Sequence, residues 1–161
     1  MSNMIKVGMA DANVCRSPDA ITTLGLGSCV GVALYDKSTK IAGLVHVMLP
    51  DSTSVRQNSN KAKFADTGID FVIDMMKKEG AKTIGLTAKI AGGAQMFAFD
   101  GSSDMLRVGE RNVQAVKKKL AALGIRILAE DTGLNFGRTV EFYPETGDFL
   151  IKAVGKPPKK I

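Results

Sequence analysis

The stretch CVGVALYDKSTKIAGLVHVML, residues 29–49, reads as two β-rich runs joined by the polar turn DKSTK. If Lys37 and Ser38 form a two-residue loop, Asp36 faces Thr39, and a four-residue loop that pairs Tyr35 with Lys40 keeps the same register. Stepping along that ladder pairs Ala33 with Ala42, Gly31 with Leu44, and Cys29 with His46. Directly opposed residues share a sheet face with Cβ atoms roughly 4.5–5.5 Å apart, within reach for sulfur and imidazole. A loop with an odd number of residues would shift the register by one and put the two on opposite faces.

Outward from this hairpin, residues 61–79 (KAKFADTGIDFVIDMMKKE) place Phe64, Gly68, Phe71, Val72, Met75 and Met76 on one helical face before Gly80. A second amphipathic helix is predicted over ERNVQAVKKKLAAL, with Val113, Val116, Leu120 and Leu123 as its stripe, Glu110 in its first turn and Gly124 as its stop. Further β-like runs are TIGLTAKIA, IRILAED, RTVEFYP and DFLIKAV, the last two joined by ETG as a hairpin. Helices and strands mix without strict alternation, so the expected class is α+β, with mixed and antiparallel sheets and two main helices.

With 161 residues, 45% hydrophobic, and neither a linker nor a repeat, the chain is expected to form one domain over 1–161. A flexible, solvated basic tail is expected at about 156–161 (KPPKKI). No run of eighteen apolar residues occurs and the first residues do not read as a leader, so direct membrane insertion is not expected and a cytoplasmic location is. The net charge of +6 is local, lying in VKKKLAALG and in the tail against 16 acidic residues, which argues against a nucleic-acid partner. Two scattered cysteines, Cys15 and Cys29, and one histidine make no metal pattern and are expected to be free thiols.

A thiol with an ordinary pKa of ~8.5 becomes a useful nucleophile when an imidazole takes its proton. Cys29 beside His46 is therefore acyl-transfer equipment. Gly25, Gly27 and Gly31 would admit a substrate, and backbone N–H groups near Ser28 and Cys29 would serve as oxyanion donors, which makes Gly27 and Ser28 candidate substrate-binding residues. The competing reading is a structural core cysteine and histidine. Cys15 has no such surroundings and reads as structural. GLGSCVG lacks the G-x-G-x-x-G spacing and a following helix, so a phosphate loop is not indicated.

TLGLGSCVGVALYD, GLVHVMLP, KFADTGID, AKIAGGAQMF, GERNV and LNFGRTVEF occur in this order along nearly the whole chain, and together they resemble the CheD family of chemoreceptor glutamine deamidases. That resemblance implies a fold similar to the catalytic domain of cytotoxic necrotizing factor toxins. It implies a hydrolase that needs no metal or other cofactor and converts receptor glutamines to glutamate through a cysteine thioester, with hydrolysis of glutamyl methyl esters open to the same intermediate. By the resemblance the nucleophile falls on Cys29, the histidine on His46, and a third polar group that orients the imidazole on Thr23. The implied partners are chemoreceptor cytoplasmic helices and the phosphatase CheC. The alternatives are a non-catalytic adaptor binding receptors and CheC, and a cysteine hydrolase with another substrate.

Within the same segments, Gly92 and Gly93 are read as allowing close backbone approach. Asn135, Gly137 and Arg138 are read as fixing a turn before a strand, and Phe97 and Phe99 as core or partner contacts.

Overall fold

The computed structural model describes residues 2–96 and 107–161; Phe97 and Phe99 lie outside them. Ten strands of the described chain form two five-stranded sheets. The first holds β1 (Met4–Val7), β3 (Ala20–Leu26), β8 (Arg138–Tyr143), β9 (Asp148–Lys152) and β10 (Lys159–Lys160), in that order. The second has the order β2 (Ala12–Arg16), β5 (Ile41–Val47), β4 (Val30–Asp36), β6 (Thr87–Gly92), β7 (Arg126–Thr132). Two pairs, β1 with β3 and β6 with β7, are parallel, and the other pairs are antiparallel, so the class is α+β as expected.

The second sheet is covered on both faces at its centre, where β5 is buried throughout and β4 at every position but Tyr35. One face, through Val30, Val32, Leu34, Val45, Val47 and Ile90, meets helices α1 (Ala65–Lys78) and α2 (Val108–Ala122). Val72 and Met76 of α1 press against Gly43, where any Cβ would come within 3.0 Å of them. The opposite face carries Gly31, Ala33, Ala42, Leu44 and Ala91, small for the most part, and packs on Ile21, Leu26, Val140 and Phe142 of the first sheet. Side chains that small let the two sheets approach closely.

Three local expectations are corrected. The first helix does not begin at Lys61: residues 61–63 form a separate 3-10 turn capped by Asn60, Phe64 is extended, and α1 starts at Ala65. In α2 the buried stripe is Gly109, Asn112, Val116 and Leu120, whereas Leu123 is 42% exposed beyond the last turn.

The C-terminal tail does not trail into solvent. Lys159 and Lys160 pair with Ile151 and Leu150, Ile161 exchanges both backbone hydrogen bonds with Phe149, and Lys159 Nζ lies 3.3 Å from Asp131. The β9 edge offers unpaired backbone groups, and these residues satisfy them despite their charge. Removing residues 157–161 is expected to cost about 2 kcal/mol in lost backbone hydrogen bonds. A chain of this size should then show a thermal midpoint lower by roughly 4–8 °C, where a solvated tail would leave the midpoint unchanged.

Candidate functional site

The hairpin of β4 and β5 closes through four residues, Lys37 to Lys40, and pairs Asp36 with Ile41. Its turn is held by the Asp36 carboxylate, which accepts from the backbone and hydroxyl of Ser38, from Thr39 Oγ1 and from the backbone N–H of Lys82, while Lys40 takes a φ of 54°. Those bonds hold the Asp36 carboxyl well down, at about 2, against the opposing effect of burial. The register is therefore two residues from the expected one: Gly31, not Cys29, stands directly across from His46. A shift of two keeps every side chain on its face. Cys29, one residue before β4, is then a diagonal neighbour of His46 on the same face, at a Cα spacing of about 7–8 Å. Glycine at 31 makes room for the Leu26 and Thr23 side chains of the facing sheet, which would lie 3.1 and 3.7 Å from a Cβ there.

His46 is fully buried between the sheets. Its Nδ1 lies 2.8 Å from Oγ1 of Thr23, which reaches across from β3 and is equally buried. The Thr23 hydroxyl donates its one hydrogen to the carbonyl of Val7 at 2.7 Å, so it can only accept from the imidazole. Nδ1 thus carries the ring proton and Nε2 presents a bare lone pair. No described residue hydrogen-bonds Nε2. Burial lowers the imidazole pKa to about 4, and burial likewise raises the Cys29 thiol above its ordinary value. At neutral pH the resting pair is a thiol and a neutral imidazole.

The loop before Cys29 is held by its carbonyls. Gly27 O accepts from the Ala94 N–H at 2.9 Å, and Cys29 O accepts from the Gly93 N–H at 2.8 Å. Between them, Ser28 O accepts from Asn112 Nδ2 at 2.9 Å. Gly92 makes this contact possible: its φ of 110° suits glycine, and a Cβ there would sit 2.2 Å from the Cys29 carbonyl oxygen. The close-approach reading of this glycine pair holds. Gly27 and Ser28 lie beside the thiol, with Met96 packed over Gly27. A cleft of about 410 Å³ at the start of α2 is lined by Gly93, Gln95, Gly109, Val113 and Leu134 among others, and by none of Thr23, Cys29 and His46.

Arg138, read as fixing a turn, has a larger structural part. Buried at the start of β8, it pairs with Asp131 at 2.9 Å, donates to Gly133 O at 3.1 Å and reaches Gly92 O at 3.5 Å, with Phe136 stacked on its guanidinium. It braces the segment that holds Cys29 from behind. Cys15 is also buried, but its thiol donates to Asp19 O, and burial together with the Asp19 charge pushes its pKa up to about 12. It takes no part in the constellation. The residue that sequence reasoning missed is Asn112. Its only signal was polarity within the buried stripe of an amphipathic helix.

Comparison with known proteins finds relatives of the chain as a whole. The family model described as CheD chemotactic sensory transduction matches residues 48–153. The chain is 66% identical to the "probable chemoreceptor glutamine deamidase CheD" of Lachnoclostridium phytofermentans, with 100% of both chains covered. It is 54% identical to the chemoreceptor glutamine deamidase CheD of Halalkalibacterium halodurans over 100% of both, and 49% identical to that of Bacillus subtilis over 98% of this chain and 96% of the other. A crystal structure of Neisseria meningitidis protein NMB0706, of family DUF152, shares the fold at a TM-score of 0.50 and 10% identity. That match covers 81% of this chain and 64% of that one.

A histidine buried neutral stabilises the fold above its unfolded pKa, because the unfolded chain takes up a proton near 6.5 and the folded chain only near 4. That stability is lost as pH falls through this window. Urea unfolding at pH 7 and pH 5 should show a loss of about 2 kcal/mol that is absent in His46→Gln. Equal pH dependence in the two proteins would mean that His46 is not held neutral.

Proposed function

The chain belongs to the CheD family of chemotactic sensory transduction, and from that premise we propose that it is a cytoplasmic chemoreceptor glutamine deamidase in which Cys29 is the nucleophile, His46 the proton carrier and Thr23 the group that orients it. The observation that carries this reading is the Val7–Thr23–His46 chain of hydrogen bonds. It leaves a basic nitrogen bare on the sheet face shared with Cys29.

On this reading the thiol stays protonated until substrate engages. As sulfur bonds to the carbon of the glutamine carboxamide, its proton passes to His46 Nε2, and the carbonyl electron pair moves onto oxygen. The backbone N–H groups of Ser28 and Cys29 receive that oxyanion. When the carbonyl re-forms, the carbon–nitrogen bond breaks, the imidazolium hands its proton to the departing nitrogen, and ammonia leaves a thioester. Water then attacks with Nε2 as base, the sulfur leaves and is reprotonated, and glutamate remains. A glutamyl methyl ester would follow the same course with methanol leaving.

The surroundings suit a helical partner. Leu24, Met96 and Leu134 are exposed at 60%, 44% and 66%, next to Thr23, above Gly27 and bonded to the backbone of Gln95 respectively. Such a rim fits the apolar flank of a receptor helix laid over the site. The +6 net charge favours acidic receptor surfaces through an attraction that fades with salt. CheC docking on this same face would compete with the receptor. Calorimetric titration of the chain with a receptor helix, with CheC and with both should then show mutual exclusion, with both affinities falling as salt rises. Independent binding of the two would refute the shared face.

The direct test is mass spectrometry of receptor cytoplasmic fragments incubated with the protein. Cys29→Ala should abolish conversion of glutamine to glutamate while the fold persists, and Cys15→Ala should retain most activity. His46→Ala should lower kcat by about 10²-fold or more, and Thr23→Val, which frees the imidazole to turn, by about tenfold or more. Full conversion by folded Cys29→Ala would overturn the mechanism.

A further inference from the structure

We propose that Asn112 is a positioning residue that aims the oxyanion donors of the Cys29 loop, an inference that rests on the acyl-transfer reading above. Asn112 projects from α2 and is fully buried. Its Nδ2 donates to two carbonyls at 2.9 Å each: Ser28 O, immediately before the thiol, and Met48 O, just past the strand that carries His46. One amide group therefore ties the nucleophile loop to the histidine strand across 84 and 64 residues of sequence.

The consequence for chemistry follows from the planarity of the peptide bond. In a trans peptide the C=O and the N–H point in opposite directions. The Gly27 carbonyl is held by Ala94 N–H, which turns the Ser28 N–H the other way, and the Ser28 carbonyl is held by Asn112, which turns the Cys29 N–H the other way. Among the described residues, neither of those two N–H groups donates a hydrogen bond. Two successive free N–H groups next to a thiol make a small anion-binding concavity. Backbone supplies the first tether, but only a side chain supplies the second.

The start of α2 is built for this placement. A Cβ on Gly109 would lie 2.3 Å from Ala94 O, and Val113 lies against Gly93, so the helix seats directly on the segment that carries the other tethers. Asn112 arrives one turn along, where its amide spans the two carbonyls. Without the amide, the Ser28–Cys29 peptide is free to rotate and the Cys29 N–H loses its aim, although the thiol and imidazole stay where the sheet puts them.

The test compares two reactions of the same sulfur in a Cys15→Ala background. Acetylation by p-nitrophenyl acetate passes through a tetrahedral oxyanion: sulfur bonds to the ester carbon, and nitrophenolate leaves with the bonding pair. Alkylation by iodoacetamide displaces iodide from a saturated carbon and makes no oxyanion there. In Asn112→Ala, acetylation of Cys29 should slow tenfold or more, while alkylation rate and its pH profile stay within twofold of the parent. Asn112→Ser, which keeps a buried polar group too short to span both carbonyls, should behave alike and serves if the alanine variant does not fold.

An acetylation-to-alkylation ratio within twofold of the parent in either folded variant would overturn the inference, as would a parallel fall of both rates. Deamidation of receptor fragments by the parent protein is measured alongside. If it is absent while the ratio still depends on Asn112, the deamidase reading fails and the positioning role stands. If it is present while the ratio is indifferent to Asn112, the reverse holds.

Discussion

A single hydrogen bond between the two sheets, from His46 Nδ1 to Thr23 Oγ1, is the contact on which the proposed chemistry depends. It fixes the imidazole tautomer only because the Thr23 hydroxyl has already donated to Val7 O, so β1, β3 and β5 must all be in place. Three strands in two sheets meet at this point because the facing surfaces are lined by residues as small as Gly31, Ala33, Ala42 and Ala91. Larger side chains would hold the sheets apart and put a 2.8 Å contact out of reach. Packing of the least chemical kind sets the distance that the chemistry uses.

Burial then decides the charge state. In a dry interface both an imidazolium and a thiolate are costly, so His46 is shifted down to about 4 and the Cys29 thiol up. This favours an enzyme whose nucleophile is made during the reaction rather than stored as an ion pair. It also suits a thiol that is only 7% exposed in the free protein. In the proposed scheme the proton goes to His46 Nε2, which no described residue hydrogen-bonds, and the oxyanion is received by backbone donors whose carbonyls are tethered. Arg138, Gly92, Gly93 and Asn112 touch no reacting atom in this scheme, yet each sets the position of a group that does.

The hairpin that carries Cys29 and His46 was legible in residues 29–49 because alternation and a polar turn are local signals. The shared face survived an error of two residues in the register, since face depends only on parity. The exact register did not survive. It is set by the Asp36 carboxylate, whose bond to the backbone of Lys82 lies 46 residues away, and by a left-handed Lys40 that propensity would not place there. The same limit hid β1, β2 and β3, whose runs acquire strand character through pairing, β1 with β3, β2 with β5 and β3 with β8.

The chain's own pattern of residues thus determined the class of fold, the two helices, the placing of one cysteine and the one histidine on a common sheet face, and, through collinear motifs, the family. Those are consequences of period, turn chemistry and composition, which act over a few residues. Tertiary structure alone decided that Asn112 reaches two carbonyls distant in sequence, that the basic tail closes a sheet edge, and that the resting pair is uncharged. Each of these is a relation between segments brought together only when the two sheets and the helices pack. Hydrogen-bond geometry and desolvation are properties of that packed interior rather than of any stretch of chain.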